Sequence, residues 1–118
     1  MAKPGGDPCA FLPLHPLEFR ILLAIKAAPA HGYRIVREIE NRERDIGSIY
    51  PGNLYRRIRD LLAKGLLEEV AAPPAIDVDA RRKYFGLTTL GTAVLVAEGK
   101  RLEGLVREAR AVGVLSET

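Results

Sequence analysis

The amino-acid sequence predicts a mainly α-helical domain with one small β-hairpin, an α+β fold. Four segments repeat apolar residues at spacings of three and four, which is typical of helices. Two short extended runs flank a turn rich in proline and aspartate, between the third and fourth of these segments. The chain has 118 residues, of which 47% are hydrophobic and 28% charged, so it suffices for one globular domain with a modest core.

The first predicted helix is "HPLEFRILLAIKAA", which begins near Pro16 and ends before Pro29. A proline suits the first helical position, because its missing N–H would have no partner there. The residue before a proline avoids the helical region, so Pro29 ends the helix. Residues 1–13 contain three prolines and two glycines and are predicted to be an irregular lead. The apolar face of the helix consists of Leu17, Ile21, Ala24, Ile25 and Ala28.

The second and third predicted helices each carry one apolar stripe. "HGYRIVREIENRER" has a narrow stripe, and the third helix runs from about Pro51 to Lys64 and ends at Gly65. At about 100° per residue, the apolar residues of the third helix share one face and its arginines lie mostly elsewhere. The two stripes are Ile35, Val36 and Ile39 in the second helix and Leu54, Ile58, Leu61 and Leu62 in the third.

The hairpin is predicted from "LLEEVAA" and "RRKYFGL", which flank the turn "PPAIDVDA". Neighbouring residues of a strand point to opposite faces. We therefore expect one of Tyr84 and Phe85 to pack on the core and the other to lie near the surface.

The fourth predicted helix runs from about Leu90 to Val112, with Thr88 or Thr89 as its N-cap. Its apolar arc is wider than one contact seam needs, and its glycines disfavour a free-standing helix. We predict that it covers the first helix of its own chain and a second copy of the protein. The alternative is that both faces pack within one small monomer. The residues predicted for the dimer interface are Leu17, Ile21, Leu95, Leu102, Leu105, Val106, Ala109 and Val112.

This order of elements is that of a winged helix-turn-helix, whose third helix fits the major groove of DNA. Basic and hydrogen-bonding residues cluster on the third helix, in the turn before it and at the start of the second hairpin strand. The alternative is a solvated arginine face, with Asp60 as an ion-pair partner. The predicted DNA-binding residues are Ser48, Tyr50, Gly52, Asn53, Tyr55, Arg56, Arg59, Arg81, Arg82 and Lys83.

Four ordered segments resemble the PadR-like family of prokaryotic transcriptional regulators: "LEFRILLAIKAAPAHGYRIVREIE", "SIYPGNLYRRIRDLLAKGLLEE", "RRKYFGLTTLG" and the long terminal helix. The resemblance implies a homodimeric repressor that binds a near-palindromic operator in double-stranded DNA. It also implies a small aromatic ligand in some members, and membership of the subgroup with a short C-terminal helix. The domains expected are a lead (1–13), a winged helix-turn-helix DNA-binding domain (14–88), and a C-terminal dimerisation helix and tail (89–118).

The sequence departs from the family pattern at two places. Asn53 stands where threonine or alanine is more frequent, and the turn of the hairpin carries Asp77 and Asp79 instead of basic residues. The chain also has no tryptophan to stack on a flat drug. These departures bear on base contacts, on insertion of the hairpin into the minor groove and on multidrug sensing.

Composition and motifs argue against several other classes. The net charge of +3 is compatible with a nucleic-acid partner, and the single cysteine, Cys9, excludes an internal disulfide and a cysteine-based zinc site. No apolar run approaches the roughly 20 residues of a membrane span, and the first residues lack the apolar region of a signal peptide, so we expect a cytoplasmic protein.

Only His15 and His31 could serve as catalytic imidazoles, no catalytic motif is present, and no metal or cofactor is predicted. We therefore predict that the protein is not an enzyme. The competing hypothesis is a winged-helix module that binds another protein without specific DNA binding.

Overall fold

Four α-helices and a three-stranded antiparallel sheet make up the described part of this computed structural model, which covers residues 6–42, 51–71 and 83–116. A short 3-10 helix, Pro8–Phe11, precedes them. In chain order the elements are α1 (Pro16–Ala27), β1 (Ala30–His31), α2 (Gly32–Arg42), α3 (Pro51–Ala63), β2 (Leu67–Val70), β3 (Tyr84–Leu87) and α4 (Thr89–Ala111). The mainly helical α+β fold predicted from the sequence is confirmed.

Helix α1 begins where its sequence dictates. Pro16 occupies its first turn, and His15 is the N-cap. The His15 Nδ1 atom accepts a hydrogen bond from the Leu17 amide at 3.0 Å, while the His15 amide donates one to the Glu18 carboxylate at 3.1 Å. This reciprocal capping satisfies amides that have no partner inside the helix.

The central layer of the core is α1, which contacts α2, α3, α4 and β3. Ile21 and Leu22 are fully buried there, and each neighbouring helix supplies a buried aliphatic side chain to the same core cluster. Those partners are Ile35 from α2, Leu54 and Leu61 from α3, and Val94 from α4. The apolar stripes predicted from the sequence therefore meet on one helix.

The sheet has the order β1-β3-β2, so it contains one strand more than the predicted hairpin. Strand β1 has only two residues, and Ala30 pairs with Phe85 and His31 with Tyr84. This pairing also changes the expectation for β3, because Tyr84 and Phe85 are both buried, at 5% and 8% exposure. Phe85 enters the core, and the His31 ring lies edge-on to the Tyr84 ring at 5.3 Å between centroids.

Helix α3 ends at Gly65, as predicted. Gly65 has a φ of +79°, a left-handed conformation that glycine adopts without steric cost. The amides of Gly65 and Leu66 donate to the Leu62 and Leu61 carbonyls at 3.1 and 3.0 Å. These bonds form the usual glycine-terminated helix end, and they turn the chain into β2.

The start of α4 is fixed against that same turn. The N-cap Thr88 accepts a hydrogen bond from the Gly91 amide at 2.9 Å and donates to the Gly65 carbonyl at 2.6 Å. Its own amide donates to the Leu66 carbonyl at 3.1 Å. Gly91 lies so close to Leu66 that an added Cβ would overlap the carbonyl oxygen and come within 2.9 Å of the carbonyl carbon.

Residues 8–14, most of which belong to the predicted irregular lead, contact the end of the fold formed by α4. The 3-10 helix packs against α4, and Leu14 is buried. The Glu98 carboxylate, only 1% exposed, accepts the Leu14 amide at 2.9 Å across 84 residues of sequence. Arg101 donates to the same carboxylate at 2.5 and 3.0 Å, so this buried charge is paired.

A second buried carboxylate ties α1 to the end of α3. Glu18 is 3% exposed and, besides capping α1, forms an ion pair with Lys64 at 3.1 Å. The orientation of α3 relative to α1 is thus set by both apolar packing and a charged contact.

Replacing Gly91 with alanine should destabilise the fold by roughly 1–3 kcal/mol, the usual cost of overpacking. The added Cβ meets backbone atoms of Leu66, which cannot swing aside as a side chain can. Urea denaturation followed by circular dichroism measures the loss. Gly104→Ala is the matched control, because a Cβ there meets no atom within 4 Å and the helix gains propensity. Equal behaviour of the two variants would contradict the close contact.

Stability should fall in acid partly through Glu98. Its hydrogen bond from the Arg101 side chain, and the bond from the Leu14 amide, outweigh burial and hold the pKa of this carboxyl below its usual value. A carboxyl whose pKa is lowered in the folded state stabilises the fold above the unfolded-state pKa, and the contribution is lost as the pH falls through the folded-state pKa.

The Glu98→Gln variant tests this contribution. The difference in unfolding free energy between wild type and Glu98→Gln should be largest near neutral pH and shrink as the pH falls through the ordinary glutamate pKa and below it. Urea titrations at several pH values measure it. A difference that stays constant over this range would contradict the assignment, and Glu103→Gln, which changes an exposed carboxylate on the same helix, is the control.

Candidate nucleic-acid interface

The outer face of α3 carries a group of exposed polar side chains. Its buried side is formed by Leu54, Ile58 and Leu61, and the helical period therefore turns Asn53, Arg56 and Arg59 to the surface. Arg57 is half-buried and contributes less to that face. Arg56 and Arg59 thus lie on the surface predicted from the sequence.

Asn53 and Arg56 are joined by a hydrogen bond. The Arg56 Nη2 atom donates to the Asn53 Oδ1 atom at 3.2 Å. The bond restrains two side chains that would otherwise sample several rotamers, and it leaves the Asn53 amide nitrogen directed elsewhere as a donor. Guanidinium and amide groups are the side chains that bind purine edges in two places at once.

The beginning of α2 lies beside α3 and presents an exposed tyrosine that the sequence did not single out. His31 caps α2, since its Nδ1 atom accepts the Arg34 amide at 3.2 Å. The Tyr33 ring is 53% exposed and parallel to the His31 ring at 6.3 Å. Arg37 donates to the Tyr33 hydroxyl at 3.0 Å, with its guanidinium 5.7 Å from the ring centroid. The "HGY" motif was the only sequence signal for this residue.

A shallow hollow of about 320 Å³ lies between the start of α2, α3 and β3. Tyr55 from α3 forms one wall, and Lys83 lies at the edge formed by the start of β3. The hollow brings two of the predicted DNA-binding residues, Tyr55 and Lys83, to one place. Its lining residues are His31, Gly32, Tyr33, Tyr55, Lys83 and Phe85.

Lys83 is paired only loosely. Its ammonium lies 3.5 Å from the Glu69 carboxylate, and the two side chains are 70% and 57% exposed. Ion pairs this exposed contribute little to stability and are screened by salt. The Lys83 charge is therefore available to an anion that approaches the hollow.

Not every predicted DNA-binding residue lies in the described part of the chain. Gly52 belongs to the first turn of α3. Ser48, Tyr50, Arg81 and Arg82 fall outside the described residues, as do Asp77 and Asp79 of the predicted turn. Their contribution to the interface stays a prediction from the sequence.

The predicted dimer-interface residues divide into two groups. Ile21 and Leu95 are buried inside the protomer, at 0% and 7% exposure, because the first half of α4 packs on α1. They therefore offer no surface to a partner. Leu105, Val106 and Val112 are 48%, 37% and 76% exposed. Leu17, Leu102 and Ala109 are half-buried.

The sequence matches a known protein family. A model described as "Transcriptional regulator PadR-like family" matches residues 21–97, more than half of the chain. The chain belongs to the PadR-like family of transcriptional regulators. A search of the curated proteins finds no match.

Solved structures share the fold, and two of the three compared below carry the PadR name. The protein smu.1704 from Streptococcus mutans UA159 is 25% identical, with a TM-score of 0.65 over 86% of this chain and 92% of that one. A PadR family transcription regulator from Clostridium difficile R20291 is 19% identical, with a TM-score of 0.68 over 83% and 98% of the two chains. A PadR-like transcription factor from Bacteroides fragilis is 22% identical, with a TM-score of 0.66 over 82% and 89%.

Two further findings concern the described residues only. None of their helices is both long enough and apolar enough to cross a membrane. Among the same residues, no three histidine, cysteine, aspartate or glutamate side chains are grouped so that they could hold a metal ion.

Proposed function

We propose that this PadR-like regulator is a cytoplasmic homodimer that binds a near-palindromic operator and represses transcription. The observation that carries the proposal is the outer face of α3, where Asn53, Arg56 and Arg59 are exposed together on a helix of a transcriptional regulator. A release of DNA by a small aromatic ligand, as the family resemblance implies, is part of the proposal.

Helix α3 is suited to the major groove. The groove of B-DNA is about 12 Å wide and admits one α-helix. Gly52 and Asn53, in the first turn, are small or amide-bearing, so the helix end can approach the base edges. An arginine binds guanine O6 and N7, and an asparagine binds adenine N6 and N7. The Arg56–Asn53 hydrogen bond holds one guanidinium in place before binding.

Contacts to the sugar-phosphate backbone would come from around the hollow. Tyr55 can donate its phenolic hydroxyl to a phosphate, and Lys83 adds a positive charge that Glu69 neutralises only loosely. Contacts of this kind fix the register of a protein on DNA without reading the sequence. Ser48, Tyr50, Arg81 and Arg82 are expected to extend this set.

The proposed dimer follows from the apolar stripe of α4. In the first half of α4 this face is buried within the protomer, with Val94 and Leu95 in the hydrophobic core. Further along, the same helical face presents Leu102, Leu105 and Ala109, where the protomer no longer covers it fully. The apolar stripe continues beyond the core of its own protomer, and a second copy of the protein is the simplest partner that could bury it.

Helix α1 offers a place to receive that stripe. Leu23 is 47% exposed on its outer side, and a groove of about 320 Å³ separates α1 from α4 there. Phe19 and Leu102 line the groove together with Leu23. Two copies related by a two-fold axis could each place the second half of α4 over this groove. Their α3 helices would then serve two half-sites, which in such dimers lie about 34 Å apart or a multiple of it.

Replacing Arg56 or Arg59 with alanine should weaken operator binding by roughly 1–3 kcal/mol if the side chain reads a base. Fluorescence anisotropy with the DNA upstream of the protein's own gene, and with a scrambled duplex of equal length, measures the effect. Arg107→Ala is the control, because it removes the same charge from an exposed position on α4. Unchanged operator binding by the Arg56→Ala/Arg59→Ala double variant would reject the assignment of α3.

Replacing Leu105 with aspartate should turn the dimer into a monomer and lower operator affinity, while the helical content is retained. A charge at this 48% exposed position would be buried by a partner, which costs far more than leaving it in water. Light scattering at micromolar concentration gives the mass.

The control for Leu105→Asp is Val96→Asp. Val96 is 50% exposed and lies nine residues earlier, on the opposite side of the same helix at about 100° per residue. It should leave the dimer intact. A wild-type monomer at micromolar concentration, or a Leu105→Asp variant that stays dimeric, would contradict the proposed interface.

A further inference from the structure

The Tyr55 ring of α3 lies directly on the backbone of Gly32, the first residue of α2. Gly32 is buried, and a Cβ built on it would overlap the ring, with Cδ1 and Cζ each 3.2 Å away and Cε1 nearer still. No other residue type leaves this space empty. The two residues lie 23 positions apart in sequence and join two helices of the proposed interface.

The need for glycine at this position comes from space and not from backbone conformation. The described glycines with positive φ are Gly6, Gly65 and Gly113. Gly32 is not among them, so an alanine could adopt its backbone angles. What an alanine could not do is accept the ring at its present distance.

The contact with Gly32 restrains one face of the Tyr55 ring. Tyr55 is 45% exposed, so part of its ring rests on Gly32 and the rest faces solvent. A tyrosine on an open helix surface would populate several χ1 rotamers. Support from one side favours the rotamer in which the ring forms the wall of the hollow, near Lys83.

We propose that Gly32 is a positioning residue for nucleic-acid binding: its missing side chain forms a seat that holds the Tyr55 ring and directs the phenolic hydroxyl to a backbone phosphate. This inference rests on the proposed DNA-binding function. Gly32 acts through Tyr55 and does not itself contact the phosphate. Tyr55 and Lys83 line the same hollow, so that both can engage one stretch of backbone.

Alanine at position 32 should misplace the ring without unfolding the protein. The clashing atoms belong to a half-exposed side chain that can rotate into another rotamer. This differs from Gly91, where the clashing atoms belong to the backbone of Leu66. Gly32→Ala should therefore leave the midpoint of urea unfolding close to that of wild type, whereas operator affinity falls.

A double-mutant cycle in the full-length protein tests the coupling. A hydrogen bond to a charged group contributes enough binding free energy that its loss lowers affinity about tenfold or more. We expect Gly32→Ala and Tyr55→Phe each to cause such a loss, and the double variant to bind no worse than either single variant. The reason is that Gly32→Ala already removes the hydrogen bond between the Tyr55 hydroxyl and the phosphate, so removal of the hydroxyl costs no further affinity. Gly104→Ala, which adds a Cβ in open space, should bind like wild type.

A second measurement detects the contact between the Tyr55 ring and Gly32 in the absence of DNA. In glycine-labelled protein, the Gly32 α-proton signals are identified by their absence in Gly32→Ala. They should shift when Tyr55 is replaced by alanine, because the ring current of an adjacent aromatic ring is removed, while the Gly99 signals stay in place.

The binding measurements and the proton shifts together show which part of the proposal is wrong if one of them fails. Gly32 signals that do not move in Tyr55→Ala would overturn the seat itself. A Gly32→Ala variant with wild-type affinity, or losses that add in the double variant, would overturn the positioning role while leaving the DNA-binding proposal standing. A wild-type protein that fails to bind any duplex would overturn the proposed function and the role built on it, even if the shift confirms that the ring touches Gly32.

Discussion

Burial of the inner face of helix α1 is the constraint on which the rest of the structure depends. Helix α1 contacts α2, α3, α4 and β3, and its Ile21 and Leu22 side chains are inaccessible to solvent. Each surrounding helix must turn its apolar stripe inward to meet them, and this leaves its polar residues outside. The exposed arginines of α3 are thus a consequence of how Leu54 and Leu61 pack, and the Glu18–Lys64 pair secures the same orientation at the far end of α3.

Local patterns were sufficient wherever a feature depends on residues close in sequence. Helical periodicity predicted the buried and exposed faces of α3. Proline marked the start of α1, glycine the end of α3, and threonine the start of α4. These signals are local because capping bonds and helix faces involve residues only a few positions apart. The outward position of Arg56 and Arg59 could be predicted for the same reason.

Features created by distant contacts could not be predicted. Strand β1 has two residues and exists only because it pairs with β3, more than 50 positions away. Burial of Tyr84 follows from the same pairing, since the His31 ring covers a side chain that a two-stranded hairpin would expose. The Leu14 amide donates to Glu98 across 84 residues, and the Tyr55 ring lies on Gly32. No periodicity in the sequence encodes these pairs.

The junction between β3 and α4 has a mechanical consequence. Thr88 alone separates them, and its hydrogen bonds to Gly65 and Leu66 fasten the junction to the loop that closes α3. Such a junction restricts rotation between the two elements, so α3 and α4 are expected to move as one rigid body. In the proposed two-fold dimer, the distance between the two α3 helices would then be fixed. Inserting or deleting a base pair at the centre of the proposed operator would be poorly tolerated.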